Sequence, residues 1–303
     1  MKSTTQKTIL DCIGNTPIIK LNKVVPEGCA NVYVKLEYFN PTGSKKDRMA
    51  LAMIEGAERK GTLKKGMAVV EYSGGSTGAA LSLICSIKEY PFRLVTSDAF
   101  SKEKIQMMEA LGAQLEIVKS PDGKISKDLI QGMITKANEI AREPNTYFTD
   151  QLSNTDVLDG FQILGEEIIQ QLKDVSIDAI CDTIGTAGTL MGVSRAFKNK
   201  KSPLFVALEP TSSPILTAGK IGSHSVEGIG LGFIPPLLNK KFYDQSIAIE
   251  ETDARVMAKR LAMEEGIFSG TSTGMNVVGA IEIAKSLGPN KNVVAIACDT
   301  GLK

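Results

Sequence analysis

The chain has no tryptophan and a single histidine, His224. One histidine excludes every metal motif built on two, and no C-x-x-C pair offers thiolates instead. No metal site is expected. The five cysteines, Cys12, Cys29, Cys85, Cys181 and Cys298, are widely scattered, which fits reduced and mostly buried thiols rather than a disulfide frame. Net charge is scarce as well: 35 basic against 34 acidic side chains leave +1. That balance argues against nucleic acid or a polybasic membrane surface as the partner. No apolar run approaches the roughly 20 residues of a membrane helix. The segment Met1–Lys7 lacks the apolar core of a signal peptide, so a cytoplasmic location is the expectation. The pattern G-x-S-x-G occurs at Gly74–Gly78 and at Gly270–Gly274, as in the nucleophile elbow of serine hydrolases. Only His224 could serve as base there. Only Ser76 precedes it, with several strands and helices still to follow, so the hydrolase reading is disfavoured. Lysine or a cofactor is left to handle protons.

The stretch Asn40-Pro41-Thr42-Gly43-Ser44-Lys45-Lys46-Asp47-Arg48 reads as a turn running into a helix. Ser44 is a good N-cap for a helix over 45–60, in which Met49, Met53, Ile54 and Ala57 recur at helical spacing. Both lysines then fall in the first turn, where the macrodipole disfavours positive charge. A lysine so placed has a lowered pKa, which suits an amine that acts as nucleophile or base.

At 303 residues and 43% hydrophobic, the chain has room for two domains or for one large domain with a mobile subdomain. A short early helix is expected within 8–22. Strands are expected at 18–21, 31–37, 68–72, 92–96, 114–118, 147–149, 179–184, 204–210 and 293–297. Helices are expected at 45–60, 79–88, 101–111, 125–143, 159–172, after Thr189, at 253–265 and after Gly274, with 211–240 rich in loop. This alternation predicts an α/β fold with a doubly wound, mostly parallel sheet. Two loops rich in Gly, Ser and Thr, 73–78 and 185–189, each lie between a strand and a helix, where backbone N–H groups bind anions. Neither is a Walker loop. The glycines at 228, 230 and 232 match a dinucleotide fingerprint only in part, which leaves an oxidoreductase a weak alternative. Two anion loops with a lysine at a third helix start suggest an imine-forming lysine with a phosphate-bearing cofactor, pyridoxal 5'-phosphate.

The segment 40–48 resembles the N-P-x-x-S-x-K-D-R motif of the cysteine synthase / cystathionine β-synthase family, pyridoxal phosphate enzymes of fold type II. The resemblance runs from Ile13-Gly14-Asn15-Thr16-Pro17 to Asp299-Thr300-Gly301. It implies a tryptophan synthase β-like fold of two subdomains, the larger from 1–40 and 147–303 and the smaller, mobile one from 41–146. Its Schiff-base lysine maps to Lys46. Lys45 stands at a usually apolar position and is expected to be a partly exposed neighbour whose charge lowers the pKa of Lys46 further.

Ser73-Gly74-Gly75-Ser76-Thr77-Gly78 resembles the family's T-S-G-N-T-G loop. The resemblance gives Ser73, Gly74, Gly75 and Thr77 to the substrate carboxylate. Ser76 replaces an asparagine at the cofactor's ring hydroxyl, where its shorter side chain reaches through water. Gly185-Thr186-Ala187-Gly188-Thr189 resembles the phosphate cup G-T-G-G-T, and alanine at 187 requires an ordinary φ there. Gly270-Thr271-Ser272-Thr273-Gly274 resembles a loop that puts Ser272 at the pyridine nitrogen, a neutral partner that leaves the ring a modest electron sink. Gln151 resembles a glutamine on the substrate carboxylate. Gly228-Ile229-Gly230 resembles a segment lining the pocket. The implied reaction is β-replacement on an O-activated serine, such as O-acetylserine, by sulfide or a thiol. The alternatives are β-elimination of cysteine or serine, cystathionine formation, and a non-catalytic relative that binds a partner. A homodimer is implied, as is binding of the tail of a serine acetyltransferase.

Overall fold

Strands and helices alternate along the chain, as the apolar periodicity requires. The computed structural model describes residues 7–123, 126–198 and 202–302. Its strands are β1 (Ile18–Lys20), β2 (Asn31–Leu36), β3 (Ala68–Tyr72), β4 (Phe92–Ser97), β5 (Gln114–Val118), β6 (Thr146–Phe148), β7 (Ala179–Thr183), β8 (Leu204–Pro210), β9 (Gln245–Ile249) and β10 (Asn292–Ala297). The helices are α1 (Lys46–Lys60), α2 (Ser76–Lys88), α3 (Lys102–Ala110), α4 (Lys127–Ala141), α5 (Asp156–Gln171), α6 (Gly188–Ala196), α7 (Ile215–Ala218), α8 (Glu251–Arg260) and α9 (Thr271–Leu287). The start of the helix expected from 125 lies outside the described residues. β9 had no sequence signal strong enough to be expected. Its five residues sit at a sheet edge, where burial on one side only leaves a weak pattern.

The chain divides into two compact units. One is built from residues 46–157 with the segment up to Asp11, the other from 12–45 and 158–302. In the first, four strands pair in the order β5-β4-β3-β6, all parallel. The face of α1 set by Met49, Met53, Ile54 and Ala57 is fully buried, and Gly61 at φ 70° ends that helix with a left-handed residue. In the second unit, six strands run β1-β2-β10-β7-β8-β9. All pairs are parallel except β1 with β2. Every residue of β7 and β10 is buried, as expected for central strands of a parallel sheet.

The start of α1 differs from the expectation. Ser44 pairs with Asp299 in an antiparallel bridge, and the Lys45 N–H donates to the Cys298 carbonyl at 2.8 Å. Ser44 is therefore held in a bridge and Lys45 in a turn, and α1 begins at Lys46. Only Lys46, not the pair, occupies the first helical turn.

Candidate active site

The predicted site residues fall in both units. The second unit carries the loop 185–189, for which a phosphate cup is expected. β7 ends at Thr183, and Gly185–Ala187 turn the chain into α6 with Ala187 as N-cap. Ala187 has φ 65° and ψ −8°, so the expected ordinary φ is overturned. The left-handed residue followed by helical ones turns successive N–H groups toward one point, the geometry of an anion nest. That conformation costs an L-residue about 1–2 kcal/mol, and its persistence at a ligand loop fits strain stored at a functional site. Gly185 has no room for a side chain, because a Cβ would strike the Gly228 carbonyl oxygen. The Gly230 N–H donates to the Ile184 carbonyl at 3.0 Å, so the 228–230 segment closes directly on the cup. His224 fixes that segment from behind, with Nε2 donating to the Gly230 carbonyl at 2.8 Å. The lone histidine is thus committed to a structural bond.

Ser272 lies in the first turn of α9, whose N-cap is Gly270. Behind it is a buried polar cluster. The Lys45 ammonium forms an ion pair with Asp182, at 2.9 Å to Oδ1 and 2.7 Å to Oδ2. Lys45 is 8% exposed, which corrects the reading of it as a partly exposed neighbour. Burial alone would lower its pKa, but the Asp182 carboxylate reverses this and raises it. Its charge is paired with Asp182. Asn276 Nδ2 donates to Asp182 Oδ1 at 2.8 Å and to the Ile296 carbonyl at 2.7 Å. Burial pushes the Cys298 thiol up to about 11, with the Lys45 charge opposing.

In the first unit the loop 73–78 merges into α2, which starts at Ser76 with Gly75 as N-cap. Ser73 Oγ accepts from the N–H groups of Gly75 and Gly78, at 3.1 Å each. The loop is therefore self-capped, and Ser73 acts on its own backbone. A Cβ at Gly74 would enter the Phe100 ring, which accounts for glycine there. Thr77 Oγ1 donates to Gln151 Oε1 at 2.8 Å, and Gln151 Nε2 donates to the Tyr72 carbonyl at 3.2 Å. Thr77 and Gln151, far apart in sequence, thus form one clamp. Glu71 underlies it. Its carboxylate accepts from the Gln151 N–H at 3.0 Å, from Thr149 Oγ1 at 2.7 Å and from the Tyr72 N–H at 2.9 Å. Burial raises the Glu71 pKa to about 7 against these bonds.

A family model described as pyridoxal-phosphate dependent enzyme matches residues 9–299. The chain belongs to that family. A cysteine synthase of Staphylococcus aureus is 40% identical over 295 residues, covering 97% of this chain and 93% of the relative. The crystal structure of a cysteine synthase from Entamoeba histolytica superposes with a TM-score of 0.92 at 30% identity, over 99% of this chain and 89% of that one. That of a hydrogen sulfide-producing enzyme from Fusobacterium nucleatum superposes at 0.91 and 31%, over 99% and 98%.

As a pyridoxal-phosphate dependent enzyme, the chain needs a phosphate site, and the 185–189 loop fits one. Its backbone is bare at Gly185, its N–H groups are turned by Ala187, and α6 adds the positive end of its dipole. The buried Thr183 hydroxyl also finds no partner among the described residues, leaving a polar atom at the carboxyl end of β7, where parallel sheets bind ligands. Glu71, Asp182, Asn276 and Cys298 were not singled out from the sequence of this enzyme. The available signal was a carboxylate inside a short apolar strand, in Ala68-Val69-Val70-Glu71-Tyr72 and in Ala179-Ile180-Cys181-Asp182-Thr183. A buried charge needs partners.

Proposed function

We propose that the protein catalyses β-replacement on an O-activated serine such as O-acetylserine, with sulfide or a thiol as the incoming nucleophile, to give cysteine or a thioether amino acid. The observation that carries this reading is the 40% identity to a cysteine synthase across 97% of the chain. When bound, pyridoxal phosphate supplies an electron sink that makes Cα–H of an amino acid acidic. Lys46 holds the cofactor, removes the Cα proton as the leaving group departs from Cβ, and returns it after the nucleophile has added. Gly185, Thr186, Ala187, Gly188 and Thr189 hold the phosphate. Ser272 meets the ring nitrogen and Ser76 the ring hydroxyl, through one water. Thr77 and Gln151, with the remaining N–H groups of 73–78, hold the substrate carboxylate, and Gly228 lines the substrate side. Residues 41–146 act as a smaller mobile subdomain that closes against the larger one from 1–40 and 147–303 to exclude water.

The reading extends to a homodimer in the cytoplasm, able to take the tail of a serine acetyltransferase. Five free thiols support a reducing compartment. Exposed Met263 and Phe268 supply apolar surface for association.

A second reading, net elimination from cysteine or serine as a lyase, is favoured by the altered 73–78 loop and by the similarity to a hydrogen sulfide-producing enzyme. Purified protein should be yellow, and Lys46→Ala should be colourless and lose at least about 100-fold in turnover. With O-acetylserine and sulfide it should accumulate cysteine. If only cysteine or serine alone is consumed and hydrogen sulfide or pyruvate builds up, replacement is the wrong reaction class.

A further inference from the structure

Among the described residues the ring of His224 makes a single hydrogen bond, and that bond reaches toward the loop 185–189. Nε2 lies 2.8 Å from the Gly230 carbonyl oxygen. A carbonyl only accepts, so the nitrogen is the donor. From Gly230 the contact passes on to the loop. The Gly230 N–H donates to the Ile184 carbonyl at 3.0 Å, and the Gly228 carbonyl oxygen lies where a Cβ of Gly185 would be. His224, the 228–230 segment and the start of the loop thus stand in three layers. No side chain fits between the first two, because a Cβ at Gly230 would enter the His224 ring.

Two features make this bond, rather than packing, the element that sets the segment. The other ring nitrogen, Nδ1, is buried and has no partner among the described residues. A buried nitrogen left unpaired costs more than an apolar side chain of the same shape would. The histidine is therefore not explained as filler; what it adds is the donor at Nε2. A cavity of about 10 Å³, room for one water, also lies along the junction, lined by Ile184, Gly185, Gly230 and Gly232. Contact there is not tight. Gly228 and Gly232 hold φ 76° and Gly230 holds φ 58°, a left-handed run without side chains to lock it. Its base is firm: Val226 and Ile229 are buried in the core, and the Ser225 N–H and hydroxyl donate to Glu251 at 3.1 and 2.8 Å.

We infer that His224 is a positioning residue for the cofactor phosphate. By holding the Gly230 carbonyl it keeps the 228–230 segment seated on Gly185, and so keeps the N–H groups of 185–189 turned to one point. It acts through Gly230 and Ile184 and takes no part in the chemistry. Coupling of this kind is reciprocal, so a phosphate seated in the loop tightens the His224 bond in return. The inference rests on the proposed place of the phosphate at 185–189.

The test compares pyridoxal phosphate with pyridoxal, which has the same aldehyde and ring but no phosphate. The full-length apoprotein is titrated with each and followed by visible absorbance. His224→Phe, a ring of similar size without a donor, should bind pyridoxal phosphate about 10-fold more weakly and pyridoxal as tightly as the wild type does. His224→Gln, whose amide can donate to the Gly230 carbonyl, should recover most of the loss. Equal losses for the two ligands, no loss for either, or a His224→Gln as weak as His224→Phe overturns the inference. A second measurement needs no variant. As the only histidine, His224 gives one set of ring NMR signals, and its Nε2–H should exchange with solvent more slowly with pyridoxal phosphate bound than with pyridoxal. Equal exchange also overturns the inference. Gly185→Ala tests the reading beneath it: if the preference for the phosphate-bearing ligand is unchanged, the phosphate is not held at 185–189, and both fall.

Discussion

The loops 185–189 and 73–78 have nearly the same composition and the same position between a parallel strand and a helix, yet they are held in different ways. In 185–189 the backbone is bare. Ala187 keeps a left-handed conformation, Gly185 abuts the Gly228 carbonyl, and the N–H groups point to whatever binds. In 73–78 the loop consumes part of its own donor supply through Ser73, and it is braced by the Glu71 carboxylate and the Gln151 side chain. The first loop is shaped by backbone conformation and close approach, the second by side-chain bonds from a strand beneath it. Composition marks both as candidate anion loops. It does not reveal which one tolerates a change of side chain and which one tolerates a change of pH.

The largest contrast should come from Gly185→Ala. The added methyl meets a backbone carbonyl that cannot swing aside, so cofactor affinity should fall by about 100-fold or more, read by titrating the apoprotein and following visible absorbance. The same loop unchanged in affinity would mean that the Gly228 segment yields. Next comes Glu71→Gln. Removing an acceptor that serves Tyr72, Thr149 and Gln151 should cost about 1–3 kcal/mol of stability and raise KM for the amino-acid substrate more than it lowers kcat.

Glu71→Gln should also change the response to pH. The folded Glu71 pKa is raised from 4.5 to about 7, so the folded state holds this proton more tightly than the unfolded one. The associated stability is complete below about pH 4.5 and is lost as the pH rises through about 7. Denaturation midpoints at intervals across that window should show a decline on the order of 3 kcal/mol in the wild type that Glu71→Gln lacks. Parallel curves for the two proteins would refute the assignment.

The smallest effect is expected from Ala187→Gly, which removes the left-handed penalty in the cup. Melting should shift upward by about 1 kcal/mol of stability, with cofactor affinity kept. A fall in stability would show that the alanine methyl contributes packing that outweighs its strain.

Most of the architecture was legible because it follows from periodicity. The buried face of α1, the apolar runs within β7 and β10, and the turn at Pro41–Gly43 all announce themselves locally. The motif around Lys46 makes that lysine, rather than Lys45, the candidate for the chemistry. The start of α1 was not legible, because Ser44 has the chemistry of an N-cap and is instead recruited into a bridge with Asp299, 255 residues further on. Lys45 was misjudged for a related reason: a lysine next to a helix start is normally solvated, and only the arrival of Asp182 makes it a buried one. Glu71 was passed over because a single carboxylate in a short strand has no period to betray it.

The sequence by itself determined the order of most strands and helices and marked two candidate anion loops and a lysine at a third helix start, since each depends on neighbours a few residues away. Tertiary structure alone decided the conformation of Ala187, the pairing of Lys45 with Asp182, the Thr77–Gln151 clamp over Glu71 and the bond from Asn276 to Asp182. Those features join residues 74 to 137 positions apart or depend on a carbonyl packed against a loop. Burial makes an unmade bond cost far more than it would in water, so the fold, not local propensity, selects the partner.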